Sequence, residues 1–506
     1  MLDSAASSVL DLDMTEGILL QEAETDADAA EGEEVNVMGS LNTTAGHEDS
    51  KQSLRDQLRK TLNRKQSMQD LPSPRTKVKP VMDDIPYEPT QSFGEREYFV
   101  LTDAGKPVFV SRSGGEDSLA SIIGIMQALV SVFIDDGDKL RCINTKTSRI
   151  TFLIRSPLYY VCYSNWGEPE SVTRSHLEYL HLQIISIVTA SHLRKLFERR
   201  GNFDLRRLLD GAESFLTSIL ERLQGDIAMN TSSLFCLKLD PALRKRAADC
   251  LIPTNKMKDV LYVFLVANGR VVTLIRPRKH SIHPADIHIL LNTIYNPSIL
   301  HSPASTSCIP ICLPKFNPSG FMNAYISFLR KPEGDPTLAL VCLNGVGEFD
   351  TIKGWCESVS QKLDNEGISD AIISDLQSRK TEYSVAELGI PGLRHFVYKS
   401  RGQVQVTIPS FDDPYDSPTE KRRLLTLYQT LHDAIHAKSG QGGMLKLQYI
   451  KTEKESVLGW ITQPFELYIT LSPMLPKSAA VGAANSVVRW VKKEEGRLFL
   501  RDAPVF

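Results

Sequence analysis

No C-x-x-C pair occurs among the eight cysteines of this 506-residue chain. Cys142, Cys162, Cys236, Cys342 and Cys356 sit among apolar or β-branched neighbours, where a free thiol behaves as a small hydrophobe. A disulfide scaffold is thereby excluded, and the pattern suits a reducing compartment. No Lys or Arg precedes Lys51, so the charged start of a secretion signal is missing. The longest apolar run, residues 122–134, is 13 residues long and includes Gln127 and Ser131. A bilayer span needs about 20. The reading is therefore a cytoplasmic protein that reaches membranes only peripherally. Charge of one sign is also scarce, with 58 Lys+Arg against 61 Asp+Glu. A basic fold clamping nucleic acid is not expected.

Catalytic signatures are missing as well. There is no G-x-x-x-x-G-K-[ST] phosphate cradle; Gly440-Gln441-Gly442-Gly443 runs on into an apolar stretch as a hairpin-like link. No G-x-S-x-G nucleophile turn occurs. His432 and His436 stand four apart and could share a metal, but no third ligand is evident, and Asp433 is one carbon shorter than the usual general-base Glu. Cys308 and Cys312, with His280, His283 and His288 upstream, lack the second pair that a tetrahedral site needs. The expectation is no catalytic residue, no metal and no cofactor.

What is present is polarised charge and a repeated element order. Residues 1–50 carry 13 acidic residues and no Lys or Arg, whereas residues 51–80 carry nine basic residues against Asp56 and Asp70. Five prolines follow within residues 71–92, favouring extended chain. Residues 1–92 thus read as a disordered acidic/basic leader. Within it Leu54, Leu58 and Leu62 line one face of a basic amphipathic stretch that suits anionic lipid or a partner groove, or else a solvated charge run. Ser73-Pro74 is compatible with phosphorylation.

From residue 93 the pattern predicts strand, strand, helix, three strands, helix. Strands fall at 97–102, 107–111, 140–145, 150–155 and 158–163, with helices at 118–134 and 172–189. The same order recurs at 260–363 and at 393–493, the first pair of strands turning at Asn268-Gly269 and at Arg401-Gly402. The expected fold is α+β: three domains (93–225, 226–380 and 381–506), each a five-stranded antiparallel sheet covered by helices.

One helix stands out. Residues 118–134 are apolar nearly all round, yet carry Ala120, Gly124 and Ala128 in a row of small residues. Gly124 costs about 1 kcal/mol of helix propensity relative to Ala. Either the row admits the backbone of another chain, or it packs inside its own domain. Two basic clusters, Lys421-Arg422-Arg423 and Arg489, Lys492 and Lys493, would form a patch for anionic headgroups if the fold brings them together; a solvated helix face is the plain alternative.

Several long strings resemble the Mon-one/SAND family of vacuolar and endosomal fusion proteins: FVLTDAGKPVFVSR from Phe99, NFDLRRLLDG from Asn202, HPADIHILLN from His283, CLPKFNPSGFMNAYISFL from Cys312, GIPGLRHFVYKS from Gly389, FELYITLSP from Phe465 and RWVKKEEGRLF from Arg489. They run in the family's order from about residue 93 to the end. The resemblance implies three longin domains and an obligate Ccz-one-type longin partner, the two first domains pairing. It implies a guanine-nucleotide exchange factor for a late-endosomal, Rab-seven type GTPase. An early-endosomal, Rab-five type GTPase acts upstream, phosphoinositide membranes are bound, and a third subunit occurs in animal complexes. By the same resemblance the GTPase switch segments sit across the paired first domains, with Ala120, Gly124, Gln127 and Ala128 at or near that junction. A non-catalytic longin adaptor or tether is the alternative.

Overall fold

The structure, a computed structural model, describes residues 94–501 apart from 95, 112–115, 136, 146, 254–256, 258, 279, 301–305, 331–336, 346–348 and 439–444. The leader, with Leu54, Leu58, Leu62 and the Ser73-Pro74 site, lies outside the described residues. The described part of 114–140 forms one compact unit and the rest forms another.

In the first domain β1 (Glu97–Thr102), β2 (Pro107–Val110), β3 (Cys142–Asn144), β4 (Arg149–Arg155) and β5 (Leu158–Ser164) make an antiparallel sheet in the order β2-β1-β5-β4-β3. The first hairpin closes at Gly105, whose φ of 75° suits a residue without a Cβ. Helix α1 (Glu116–Asp135) belongs to the smaller unit. Helix α2 (Glu170–Val188) lays Leu177, Leu180 and Ile184 on Tyr98, Val100, Tyr160 and Cys162 of the sheet. Burial of a tyrosine needs a partner for its hydroxyl. Tyr98 Oη meets His176 Nδ1 at 2.9 Å, and Tyr160 Oη meets His181 Nδ1 at the same distance.

Two helices that the residue pattern did not yield follow: α3 (Ala190–Arg199) and α4 (Glu213–Gly225). Helix α3 buries only Leu193 and Phe197, too thin a stripe to announce itself among its Arg and Lys residues. After them the strand β6 (Leu234–Phe235) and helix α5 (Pro241–Leu251) lead into the second domain. Its strands β7 (Val260–Ala267), β8 (Arg270–Ile275), β9 (Thr306–Ile311), β10 (Met322–Arg330) and β11 (Leu338–Asn344) repeat the order of the first sheet as β8-β7-β11-β10-β9. The β7–β8 turn has Asn268 and Gly269 both at positive φ, the twist-matched two-residue hairpin that an Asn-Gly pair encodes.

Helix α6 (Pro284–Ile294) covers one face of this sheet, and every one of its 11 residues is buried. Ile287, Leu290, Leu291 and Ile294 meet the sheet, and the helix also packs against α2 and α4 of the first domain. One of its polar side chains, Asn292, is satisfied across that boundary. Asn292 Nδ2 donates to Gln183 Oε1 at 3.0 Å and to the Phe215 carbonyl at 2.9 Å, while Ser218 Oγ donates to Asn292 Oδ1 at 2.9 Å. The opposite face of the sheet carries α5, α7 (Phe349–Asn365) and α8 (Ile368–Gln377), through Ala247, Leu251, Cys356, Val359, Leu363 and Ile372. Covered on both sides, β11 buries all seven residues.

The third sheet differs from expectation. Strands β12 (Leu393–Ser400), β13 (Gln405–Thr407), β14 (Leu447–Lys451), β15 (Ser456–Ile461) and β16 (Phe465–Leu471) are joined by β6, giving six strands in the order β14-β15-β16-β12-β13-β6. The segment between the first two domains crosses the open edge of β13 and runs parallel to it. Its backbone groups need partners there: Leu234 donates to the Val404 carbonyl at 3.0 Å and Leu237 to the Val271 carbonyl at 2.9 Å. One short segment thereby ties the second and third sheets together. Helices α9 (Pro418–His436) and α10 (Lys477–Lys493) complete the domain.

Asp286, in the first turn of α6, is fully buried and accepts the backbone N–H groups of Lys315 at 3.0 Å and Phe316 at 2.9 Å. Burial raises its pKa to about 6, against the lowering effect of those two bonds. A carboxyl that holds its proton more tightly when folded contributes stability that is complete below the unfolded value of about 4 and is lost as pH rises through about 6. Asp286→Asn should therefore gain stability relative to wild type as pH climbs from about 4 to about 7. Urea unfolding of both proteins across that range checks this, and a constant difference contradicts it.

Candidate functional site

Helix α1 buries Ile123, Met126 and Val130. Its other side leaves Ala120, Ser121, Gly124, Ile125 and Ser131 exposed, with Gln127 and Ala128 half-buried. A Cβ built on Gly124 meets nothing within 4 Å. Packing among the described residues thus does not require a glycine there, and its cost in helix propensity has no return within them. Beside the small row Ile125 is 60% exposed. The result is a smooth face flanked by two exposed apolar residues, Ile125 and Ile134.

The two basic clusters do not come together. Along β12 and β16 alternate side chains point to opposite faces. Phe396, Tyr398, Leu467, Ile469 and Leu471 pack on Ala480, Ala484, Val487 and Val491 of α10. On the other face His395 Nδ1 and Thr470 Oγ1 reach Tyr428 Oη of α9 at 3.0 Å and 2.9 Å. Lys421, Arg422 and Arg423 belong to α9, whereas Arg489, Lys492 and Lys493 belong to α10, so the sheet separates them.

Nor is the first cluster free for lipid. Arg423 is buried, pairing with both oxygens of Glu455 and with Glu420 at 2.7 Å. Lys421 Nζ lies 4.6 Å from the centre of the Phe411 ring. The Arg422 guanidinium stacks 3.8 Å from the centre of the Trp166 indole, and that of Arg96 lies 3.6 Å from it. The common patch expected from these six residues is thus corrected: the α9 triplet is a set of internal contacts. By contrast Arg489, Lys492 and Lys493 are exposed. They crowd the C-terminal end of α10, where the helix dipole favours cations. The nearby acids are engaged elsewhere, Glu494 with Arg497 at 3.3 Å and Glu495 with Arg501 at 3.9 Å.

Trp166 is a junction that sequence reasoning missed. It is buried, donates from Nε1 to the Gly94 carbonyl at 2.7 Å, and takes cations from the first and third domains. Arg96 Nε also pairs with the buried Glu168 at 2.8 Å. Nearby, Ser171 of α2 donates to Asp433 of α9. Burial, with the charge of Arg96, holds the Arg422 pKa below its ordinary value. Nothing in a run of three basic residues announces that its middle member is a stacking partner.

The His432 and His436 pair also changes meaning. Their rings lie 4.5 Å apart, and Glu466 of β16 brings a carboxylate oxygen to 3.2 Å from His436 Nε2. The third ligand absent from the local sequence is thus supplied 30 residues onward. Cys308 is exposed on β9, while Cys312 is buried with its thiol against the Asn317 carbonyl at 3.2 Å. A hollow of about 380 Å³ at the corner between α2 and α3 is lined by Val188, Leu208 and Phe321 together with His192 and Lys195.

Comparison with known proteins matches the chain to three family models. They are described as the first, second and third longin domains of FUZ, MON1 and HPS1, over residues 96–219, 258–361 and 392–495. Vacuolar fusion protein MON1 of Cryptococcus neoformans is 50% identical over 420 residues, covering 82% of this chain and 66% of the relative. The chain thus spans just under two thirds of that relative's length. Vacuolar fusion protein MON1 homolog A of Gallus gallus is 37% identical over 405 residues, covering 80% of this chain and 72% of its own. Protein SAND of Takifugu rubripes is 35% identical over 408 residues, covering 80% and 76%.

If the indole joins the two domains, Trp166→Ala should cost about 3–5 kcal/mol through lost packing, and Arg422→Gln about 0.5–1 kcal/mol for a half-exposed cation–π contact. Equilibrium unfolding in urea measures both. Losses under about 0.5 kcal/mol for the pair of variants would contradict the junction.

Proposed function

The chain belongs to the MON1 family of triple-longin proteins, and from that premise we propose that it is one subunit of a two-chain guanine-nucleotide exchange factor. Its substrate is a late-endosomal, Rab-seven type GTPase, and its role is fusion at endosomes and the vacuole or lysosome. Its partner is a Ccz-one-type longin chain. What carries the reading is the exposed face of α1, whose small row no packing among the described residues explains, on a chain similar to MON1 proteins along 82% of its length.

An exchange factor makes and breaks no covalent bond. It binds the nucleotide-free GTPase more tightly than the nucleotide-bound form, so its binding energy opposes nucleotide and Mg²⁺. A thousandfold faster release needs roughly 4 kcal/mol of such preference, well within reach of a broad protein surface. Ala120, Gly124, Gln127 and Ala128 line the face through which the partner's helix approaches, and Ile125 projects beside them as an apolar anchor. An early-endosomal GTPase acts upstream at the membrane. No described helix is long and apolar enough to cross a bilayer. Membrane contact rests instead on Arg489, Lys492 and Lys493, at about 1 kcal/mol per cation near an anionic surface.

Gly124→Leu separates pairing from folding, because the added side chain projects into open space. The variant should keep its unfolding midpoint while pairing with a Ccz-one-type subunit, and release of labelled GDP from the Rab, fall at least tenfold. Wild-type pairing and exchange in this variant would refute the assignment of α1. Pairing without any acceleration of release by wild type would favour an adaptor or tether. Lys492→Glu with Lys493→Glu should weaken co-sedimentation with anionic vesicles about tenfold or more; unchanged binding removes that site.

A further inference from the structure

The last turn of α9 carries His432 and His436 four residues apart, and therefore on one side of the helix. That side faces β16, whose Glu466 points out of the sheet toward it. Close approach is possible because β15 has Gly459 opposite Ile435; a Cβ there would stand 2.4 Å from Ile435 Cδ1. One ligand atom from each of His432, His436 and Glu466 lies within 4.8 Å of the others, the one such group among the described residues. His432 and Glu466 are buried and His436 is half-buried.

We propose that His432, His436 and Glu466 bind a single divalent metal ion of the zinc class, clipping the end of α9 to the third sheet. Zinc takes nitrogen and oxygen ligands at about 2.0–2.2 Å, so a tetrahedral site needs its ligand atoms roughly 3.3 Å apart. The His436–Glu466 pair already meets this at 3.2 Å, and a ligand atom of His432 lies within 4.8 Å of both. Two imidazoles and a carboxylate leave one position for water.

The charges around the site define its character. Glu466 Oε1 faces Lys399 at 3.6 Å and Arg401 at 3.7 Å, while Oε2 faces His436 and the Tyr468 hydroxyl, each at 3.2 Å. The cations beside Oε1 oppose an incoming metal. Arg401 is 44% exposed at its side chain and contributes to that opposition from the rim.

The test uses the full chain, stripped with a chelator and titrated with Zn²⁺ by equilibrium dialysis and with Co²⁺ by its visible absorption. Wild type should bind one equivalent, with cobalt showing the intense bands of a tetrahedral nitrogen–oxygen site. His436→Gln and His432→Gln should each weaken Zn²⁺ binding at least tenfold. Arg401→Gln, at the surface, should tighten it about threefold or more, an effect that a merely structural ion-pair cluster would not produce. Absence of a stoichiometric ion in wild type overturns the proposal. So does an equivalent whose affinity is the same in both histidine variants, or an Arg401→Gln protein that binds no more tightly than wild type.

Discussion

Helix α6 buries every residue, and much of the fold follows from that constraint. A helix covering one sheet needs a single apolar stripe. Here a second sheet lies on one side and α2 and α4 of the first domain on the other, so the polar residues of α6 have no water to turn to. Asn292 is satisfied only by groups of the first domain. His288 places Nε2 2.7 Å from the Ser233 carbonyl. Removing either domain would strand buried donors and acceptors, at a cost of about 1–3 kcal/mol each. The first and second domains thus share a core across their boundary.

The third domain is fastened by different chemistry. Strand β6 pairs with β13 through backbone bonds and leads into a bond with β8. Arg244 of α5 spreads its guanidinium over the carbonyls of Leu237, Gly496, Arg497 and Phe499, a buried cation held by main-chain oxygens alone. Arg422 and Arg96 meet on Trp166. A body held together by so many separate contacts is suited to work by shape. Under the proposed exchange role, binding energy directed at the GTPase would not be spent on rearranging these domains and would remain for the difference between nucleotide states.

Local pattern was legible where one residue type has one physical reason to be present. Asn268-Gly269 marks a hairpin because both positions take positive φ, and β11 reads as a strand from its apolar run. Helices α3, α4, α5 and α8 escaped because their apolar stripes are short. The third turn was misplaced: β13 starts at Gln405, after Val404 at positive φ, not directly beyond Gly402.

Candidate sites were less legible than the fold, for a reason common to all of them. The small row on α1 could be read as a row, but only burial distinguishes an outward face from an inward one. Lys421, Arg422 and Arg423 look alike in sequence and meet a phenyl ring, an indole and a carboxylate in space. Glu466 lies on a strand remote from the helix that bears His432 and His436. Each depends on long-range placement, which no local spacing encodes.

The central claim concerns preference between two states of one GTPase. The direct measurement is the affinity of the two-chain assembly for a Rab-seven type protein stripped of nucleotide, compared with the same protein loaded with GDP and Mg²⁺. The account predicts at least a thousandfold tighter grip on the empty form, roughly 4 kcal/mol. Equal affinity for both would contradict it.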